Sequence, residues 1–214
     1  MKLFVWDFHG VLEKGNEFAV QEVCNKALEE FGVKRKVTVR ECLNLYGKKW
    51  ADYFRHFAPH LGKEDVHKMV DRAVEIGLKE KIPFKYIKPM DYAHEVLKSI
   101  AKRGHMNIII SNSSPESLDM FLISVNMSNS FNHKFGADGH RKNAHENNSK
   151  EVWLRNFLKE NKFDKIIVID DFPAGIEMGK NISATTYLFS RTGNFPKANA
   201  DYKISDLREV LKEV

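Results

Sequence analysis

The pattern of hydrophobic positions divides the chain into three parts. Residues 2–7 form a near-continuous apolar run, which is typical of a strand in a sheet covered on both faces. Between residues 15 and 86, apolar side chains recur at helical spacing, and residues such as Gly32, Pro59 and Gly62 separate the segments. This second part therefore predicts a small helical bundle.

In the third part, after about residue 87, helical segments alternate with short apolar runs. This alternation is typical of a doubly wound parallel sheet, that is, a Rossmann-like α/β fold. The predicted strands cover residues 107–111, 166–169 and 185–189. The predicted helices cover residues 92–102, 117–125, 151–160, 173–180 and 207–212. We therefore predict an α/β core formed by residues 1–14 and 87–214, into which residues 15–86 are inserted as a helical cap.

The composition is that of an ordinary globular protein. Of the 214 residues, 43% are hydrophobic and 29% are charged, and no apolar stretch approaches the roughly 18 residues of a membrane span. The first apolar run ends at Asp7, so it is too short for a secretory signal. Two cysteines, Cys24 and Cys42, are too few for a disulfide framework. These features predict a cytoplasmic protein with buried free thiols.

The net charge is mildly positive, because 34 basic residues outnumber 29 acidic ones. The basic residues form short clusters, such as Lys34–Lys36 and Lys48–Lys49, rather than the continuous stripe of a nucleic-acid interface. We therefore expect a solvated surface or the attraction of small anionic substrates, with neither nucleic acid nor a membrane as a partner.

Polar side chains follow the predicted strands. Asp7 ends the first strand, Ser111 and Asn112 end the second, and Asp170 and Asp171 follow the third. Parallel sheets bind ligands at the carboxyl ends of their strands, so these side chains are expected to meet. Carboxylates buried side by side need a compensating cation, and a ligand set made only of oxygen favours Mg²⁺ over Zn²⁺.

Simpler explanations apply to some of these residues taken singly. One aspartate or serine after a strand is often a helix cap or turn former, but capping explains only one of the two acids Asp170 and Asp171. Ser149 is a predicted N-cap, which places Lys150 in the first helical turn, where a cation opposes the helix dipole. An anion at the sheet edge would explain Lys150, although an exposed lysine without a role is the alternative.

Together these residues resemble four motifs of the haloacid dehalogenase superfamily. The usual first motif is Asp-x-Asp-Gly-Thr/Val, and the third and fourth supply a lysine and paired acids. In chain order, the matching segments are Asp7–Val11, Ile108–Asn112, Ser149–Lys150 and Ile169–Glu177. The resemblance covers the whole chain, and the predicted cap lies where members similar to phosphoglycolate phosphatase and β-phosphoglucomutase have theirs.

The resemblance implies a mechanism for phosphoryl transfer. Asp7 would attack phosphorus and form an aspartyl-phosphate. Mg²⁺ would be held by Asp7, by the backbone carbonyl of His9, and by Asp170 or Asp171. The implied catalytic residues are Asp7, His9, Ser111 and Lys150.

The resemblance also implies which residues hold the substrate. Ser111 and Lys150 would bind the phosphoryl oxygens, with Lys142 as an alternative to Lys150. Gly10 permits a tight turn that brings backbone amides close to a ligand. The full set of candidate substrate-binding residues is Ser111, Asn112, Lys150, Gly10 and Lys48. Lys48 follows Gly47 in the cap, together with Lys49, Trp50 and Arg55, for which a solvated helix face is the alternative.

Position 9 departs from the usual motif. Phosphatase members have a second aspartate there, which protonates the leaving oxygen and later activates water, whereas this chain has His9. An imidazole can do acid–base work near neutral pH. Alternatively, His9 is merely tolerated and the protein is slow or inactive, or it marks different chemistry.

These observations lead to one expected function and two alternatives. We expect a Mg²⁺-dependent phosphomonoesterase for a small phosphorylated metabolite, since a covering cap encloses its site. The first alternative is a catalytically impaired member that binds a phosphorylated ligand or a protein partner. The second is a hydrolase of carbon–halogen or carbon–phosphorus bonds.

Overall fold

The computed structural model describes residues 1–45, 47–137 and 149–214. The strands are β1 (Lys2–Trp6), β2 (Glu13–Lys14), β3 (Lys88–Pro89), β4 (Met106–Ser111), β5 (His133–Gly136), β6 (Lys165–Asp170), β7 (Thr185–Phe189) and β8 (Tyr202–Ile204). The helices are α1 (Asn16–Glu30), α2 (Val39–Asn44), α3 (Trp50–Phe57), α4 (Lys63–Lys79), α5 (Pro83–Tyr86), α6 (Ala93–Lys102), α7 (Pro115–Ser124), α8 (Lys150–Glu160) and α9 (Pro173–Asn181). A 3₁₀ helix, Leu207–Glu213, follows β8 where a regular helix was predicted.

Six strands form one parallel sheet in the order β5–β4–β1–β6–β7–β8. The chain therefore has the predicted Rossmann-like α/β fold. The strands β1, β4 and β6 lie side by side at the centre of the sheet. Their carboxyl ends, where the candidate site residues follow, consequently face the same edge.

The pattern of apolar residues did not predict the two outermost strands, β5 and β8. Each has only one buried side chain, Phe135 in β5 and Ile204 in β8. An edge strand has a neighbour on one side only and needs no continuous apolar run, so periodicity gives little signal for it.

The central strands are apolar throughout because the sheet is covered on both faces. Phe4 and Trp6 of β1 belong to the core on one face, and Leu3 and Val5 belong to the core on the other. Successive side chains of a strand point to opposite faces, which explains the alternation. Burial of each such large apolar side chain stabilises the fold by roughly 1.5–3 kcal/mol. Both cores therefore hold in place the edge of the sheet where the candidate site residues lie.

A separate apolar core lies within residues 15–86, where α1 to α5 pack together. It includes Leu28, Phe54 and Met69, all with no exposed surface. The short antiparallel pair β2–β3 links the two segments by which the chain enters and leaves this helical region. The bundle is therefore observed, whereas the exact boundaries at 14/15 and 86/87 stay a prediction.

Two expectations from composition concern cysteines and membrane spans. Cys24 and Cys42 are buried and free, as predicted. Across the described parts of the chain, no helix combines the length and the apolar character required to cross a membrane.

Candidate active site

Asp7 lies at the centre of the candidate site, directly after β1. Its backbone N–H donates to the Ile169 carbonyl of the neighbouring strand at 3.0 Å, and the residue is only 9% exposed. The Lys150 ammonium donates to the Asp7 carboxylate and also to Asp170 Oδ2, at 3.3 Å in the second case. Residues far apart in the sequence thus meet at the sheet edge.

Three carboxylates converge at this edge. Asp7, Asp170 and Asp171 each place an oxygen within 4.8 Å of the others. Oxygens that share one Mg²⁺ lie roughly 3–4 Å apart, since each is about 2.0–2.1 Å from the ion. The distances and the oxygen-only donor set therefore fit a magnesium site. Participation of the His9 backbone carbonyl stays a prediction.

The crowding changes the acidity of the carboxyl groups. Burial, with the neighbouring charge of Asp7, raises the pKa of Asp170 to about 6 despite the opposing effect of Lys150. Burial and the charges of Asp7 and Asp170 also raise the pKa of Asp171 well above its usual range. Both shifts show that one ammonium is insufficient to offset the cluster, which favours a further cation there.

The position of Lys150 depends on the cap of its helix. Ser149 Oγ accepts a hydrogen bond from the Val152 N–H at 3.3 Å, so Ser149 is the N-cap of α8, as predicted.

Burial lowers the pKa of Lys150, but the charges of Asp170 and Asp7 outweigh this and raise the pKa above its ordinary value. Lys150 therefore keeps its positive charge. The alternative Lys142 lies outside the described residues.

Asp170 is held by two features of the segment that follows it. The Phe172 N–H donates to Asp170 Oδ1 at 2.9 Å. In α9, a Cβ added to Gly175 would lie 1.9 Å from Asp170 Oδ2, so any larger residue would displace the carboxylate. The glycine in this motif thus makes room for a candidate metal ligand.

Ser111 and Asn112 lie where β4 ends. Ser111 is 1% exposed, and its Oγ accepts a hydrogen bond from the Ser113 N–H at 3.2 Å. This bond holds Oγ in place while its own proton stays free to rotate towards a ligand. The arrangement suits a phosphoryl-binding hydroxyl.

His9 has a carboxylate partner that sequence reasoning missed. Its Nδ1 lies 3.2 Å from Glu13 Oε1, and its Nε2 lies 3.4 Å from Ser113 Oγ. Glu13 has no exposed surface. The signal in the sequence was an acidic residue four positions after His9, next to the apolar pair Val11–Leu12.

Glu13 also binds the backbone on either side of it. The Gly10 N–H donates to Glu13 Oε1 at 3.0 Å, and the Asn16 N–H donates to Oε2 at 3.3 Å. Gly10 has a φ of 78°, which suits the predicted tight turn, and its own amide binds Glu13, while its role in substrate binding stays a prediction.

Except for Gly10, the candidate residues line one cavity of about 390 Å³ between the helical bundle and the sheet edge. This volume is within the range of small-molecule sites. Those that line it are Asp7, His9, Lys48, Ser111, Asn112, Lys150, Asp170 and Asp171. Lys48 approaches from the helical bundle and is exposed, whereas Asp7, Ser111 and Asp170 at the sheet edge are buried.

Comparison with known proteins agrees with this geometry. Residues 4–189 match the model of the haloacid dehalogenase-like hydrolase family. The chain therefore belongs to the haloacid dehalogenase-like hydrolases, as its motifs predicted. Among curated proteins, none matches the sequence.

Solved structures share the fold at low sequence identity. One is a haloacid dehalogenase-like hydrolase from Streptococcus pneumoniae, with a TM-score of 0.79 and 13% identity over 99% of this chain and 97% of the other. A predicted phosphatase from Clostridium acetobutylicum has a TM-score of 0.78 and 16% identity over 99% and 97%. A predicted phosphoglycolate phosphatase from Haemophilus somnus has a TM-score of 0.80 and 12% identity over 100% and 97%. Such identities establish a common fold rather than a common substrate.

Proposed function

We propose that this hydrolase is a Mg²⁺-dependent phosphatase that acts on a small phosphorylated metabolite in the cytoplasm. The supporting observation is the convergence of Asp7, Lys150, Asp170 and Asp171 at one end of a covered cavity. Phosphoryl transfer requires a positioned nucleophile and compensation of negative charge, and this group supplies both. A covered cavity of this size favours a metabolite over a nucleic acid or protein substrate.

In the first step, an oxygen of Asp7 attacks phosphorus and the ester oxygen leaves with a proton from His9. The product is an aspartyl-phosphate and a free alcohol. Lys150 and Ser111 hold the phosphoryl oxygens and reduce the repulsion between the substrate and Asp7. Asp7, Asp170 and Asp171 would hold Mg²⁺, which supplies further charge compensation to the phosphoryl group when bound.

In the second step, His9 removes a proton from water, which attacks the aspartyl-phosphate. Inorganic phosphate leaves and Asp7 is regenerated. Glu13 supports this role, because a carboxylate at Nδ1 favours the tautomer with its proton there and leaves Nε2 for proton transfer. His9 would thus perform the function that the second aspartate has in related phosphatases.

Hydrolysis of p-nitrophenyl phosphate tests the proposal. Turnover is expected with Mg²⁺, and EDTA should remove it. Asp7→Asn should lower kcat at least about a thousandfold, because an amide is a poor nucleophile. Asp119→Asn is the matched control, since Asp119 is an exposed residue paired with Lys134 at 2.6 Å.

Two results would contradict the proposal. One is turnover that is unaffected by EDTA or by Asp7→Asn. The other is absence of turnover across a broad panel of phosphate esters.

A further inference from the structure

The two ends of the cavity differ in chemistry. The reacting end has Asp7, Lys150 and Asp170, whereas the far end is formed by side chains of α1, α3, α4 and α5. We call the far end the apolar end, and its principal residues are Val20, Val23, Trp50, Val74, Leu78 and Pro83. A substrate that reaches from one end to the other meets both environments.

The cap presents few polar groups to the apolar end. Of the described residues between 15 and 86 that line the cavity, those with a polar atom in the side chain are Asn16, Lys48, Trp50 and Tyr53. The Tyr53 hydroxyl already donates to the Cys42 carbonyl at 3.3 Å. Asn16 lies beside Glu13 near the reacting end, and Lys48 is exposed. Trp50 brings one indole N–H donor to the apolar end, so several hydroxyl groups of a sugar-like substrate would lose water there without equivalent partners.

Helix α4 leaves space for a ligand. Ala73 and Gly77 are four residues apart, so they lie on the same helix face, and both line the cavity. A Cβ added to Gly77 would meet only Val23 Cγ2, at 3.9 Å. Glycine is unfavourable inside a helix, yet here it keeps the cavity open.

Aromatic rings from the core side extend the apolar lining. Phe121 of α7 and Phe172, the residue after the acid pair, both line the cavity. Phe172 is 38% exposed, which is unusual for a large apolar side chain and is explained by its place at the cavity wall. These two rings add to the apolar surface that the cap supplies, while polar residues such as Ser113, Ser117 and Glu151 border other parts of the cavity.

We infer that the substrates are phosphate monoesters with an apolar alcohol part, rather than sugar or carboxylic-acid phosphates. The inference rests on the proposed function and specifies its substrate class. The phosphoryl group occupies the reacting end and the hydrocarbon occupies the apolar end.

A series of n-alkyl phosphates, from ethyl to octyl, tests the substrate class. Their leaving groups have similar acidity, so differences in kcat/KM report binding of the chain. The value is expected to rise about fourfold for each buried methylene group until the cavity is filled. Hexyl phosphate should exceed glucose 6-phosphate by at least about a hundredfold. A flat series, or a preference for the sugar phosphate, would overturn the inference.

Two further measurements separate this inference from the proposed function. Acetyl phosphate needs no apolar contacts, so its turnover alongside a flat alkyl series would leave the phosphatase intact and reject the substrate class. If no phosphate is hydrolysed, calorimetry with n-alkylphosphonates and Mg²⁺ decides the inference. Affinity that rises with chain length supports an apolar site, and affinity that does not rise rejects it.

Variants of helix α4 locate the binding site. Gly77→Leu should reduce the ratio of octyl to ethyl phosphate turnover at least tenfold, because the new side chain occupies the cavity. Gly62→Leu is the matched control, since Gly62 precedes the same helix and has no atoms near its added Cβ. Equal ratios in the two folded variants would place the alkyl chain elsewhere. The wild-type series remains decisive if Gly77→Leu does not fold.

Discussion

The buried carboxylate of Glu13 lies 3.2 Å from the Nδ1 atom of His9. His9 stands where related phosphatases have an aspartate. His9 is also flanked by aromatic rings, with Phe8 and Phe121 in edge contact at 5.1 and 4.8 Å between centroids. The imidazole is thus held from several sides. Such support is expected for a residue that must present one nitrogen to a reacting atom.

Glu13→Gln tests whether this contact matters for turnover. Glutamine keeps one acceptor oxygen, which serves only one of the two backbone amides that Glu13 binds, and it loses the charge beside His9. We expect kcat to fall about 10–100-fold and the pH–rate profile to move, with little change in KM.

Glu17→Gln is a suitable control for that experiment. Glu17 is also a buried glutamate that accepts from a backbone N–H, that of Gly15 at 3.1 Å, but it has no contact with His9. Equal effects of the two substitutions on the pH profile would argue against a positioning role for Glu13.

His9→Asp restores the usual motif and tests whether the histidine is adapted to this chain. The new carboxylate would lie beside buried Glu13, and the two negative charges would repel each other. We therefore expect kcat/KM to fall at least tenfold. A large gain in kcat/KM would instead identify His9 as an impairment of the natural enzyme.

Mg²⁺ should stabilise the protein more at pH 8 than at pH 5. The pKa of Asp170 is raised to about 6 in the metal-free fold, so folding favours its protonated form and the metal-free protein loses stability as the pH rises through 6. Mg²⁺ binds the ionised carboxylate. Below pH 6 protons compete with the ion, so the Mg²⁺ affinity falls roughly tenfold per pH unit for each proton displaced.

Thermal unfolding with Mg²⁺ and with EDTA measures this difference. The increase in Tm on adding Mg²⁺ should be larger at pH 8. An equal increase at both pH values would mean that the ion does not bind the carboxylate cluster.

Gly175→Ala should weaken Mg²⁺ binding about 10–100-fold, because the added methyl group displaces the Asp170 carboxylate. Titration of folded protein by calorimetry provides the measurement. Gly62→Ala is the control, since an added Cβ meets nothing within 4 Å there. Unchanged affinity in Gly175→Ala would exclude Asp170 as a ligand.

The sequence alone determined the α/β class, the helical bundle between residues 15 and 86, and the meeting of Asp7, Ser111 and Asp170 at one sheet edge. Central strands buried on both faces must be apolar, and parallel strands must end at one edge, so these features appear directly in the residue pattern. The capped start of α8 at Ser149 was visible for a similar local reason.

Only the tertiary structure revealed Glu13 as the partner of His9 and the apolar character of the far end of the cavity. The His9–Glu13 contact depends on how the chain turns after β1, which the spacing of two residues does not specify. The apolar end is assembled from helices that each bury part of the same face in the cap core, so their side chains read as ordinary core residues. Some of these side chains line the cavity and others pack against each other. Packing between elements that lie far apart in the chain decides which do which.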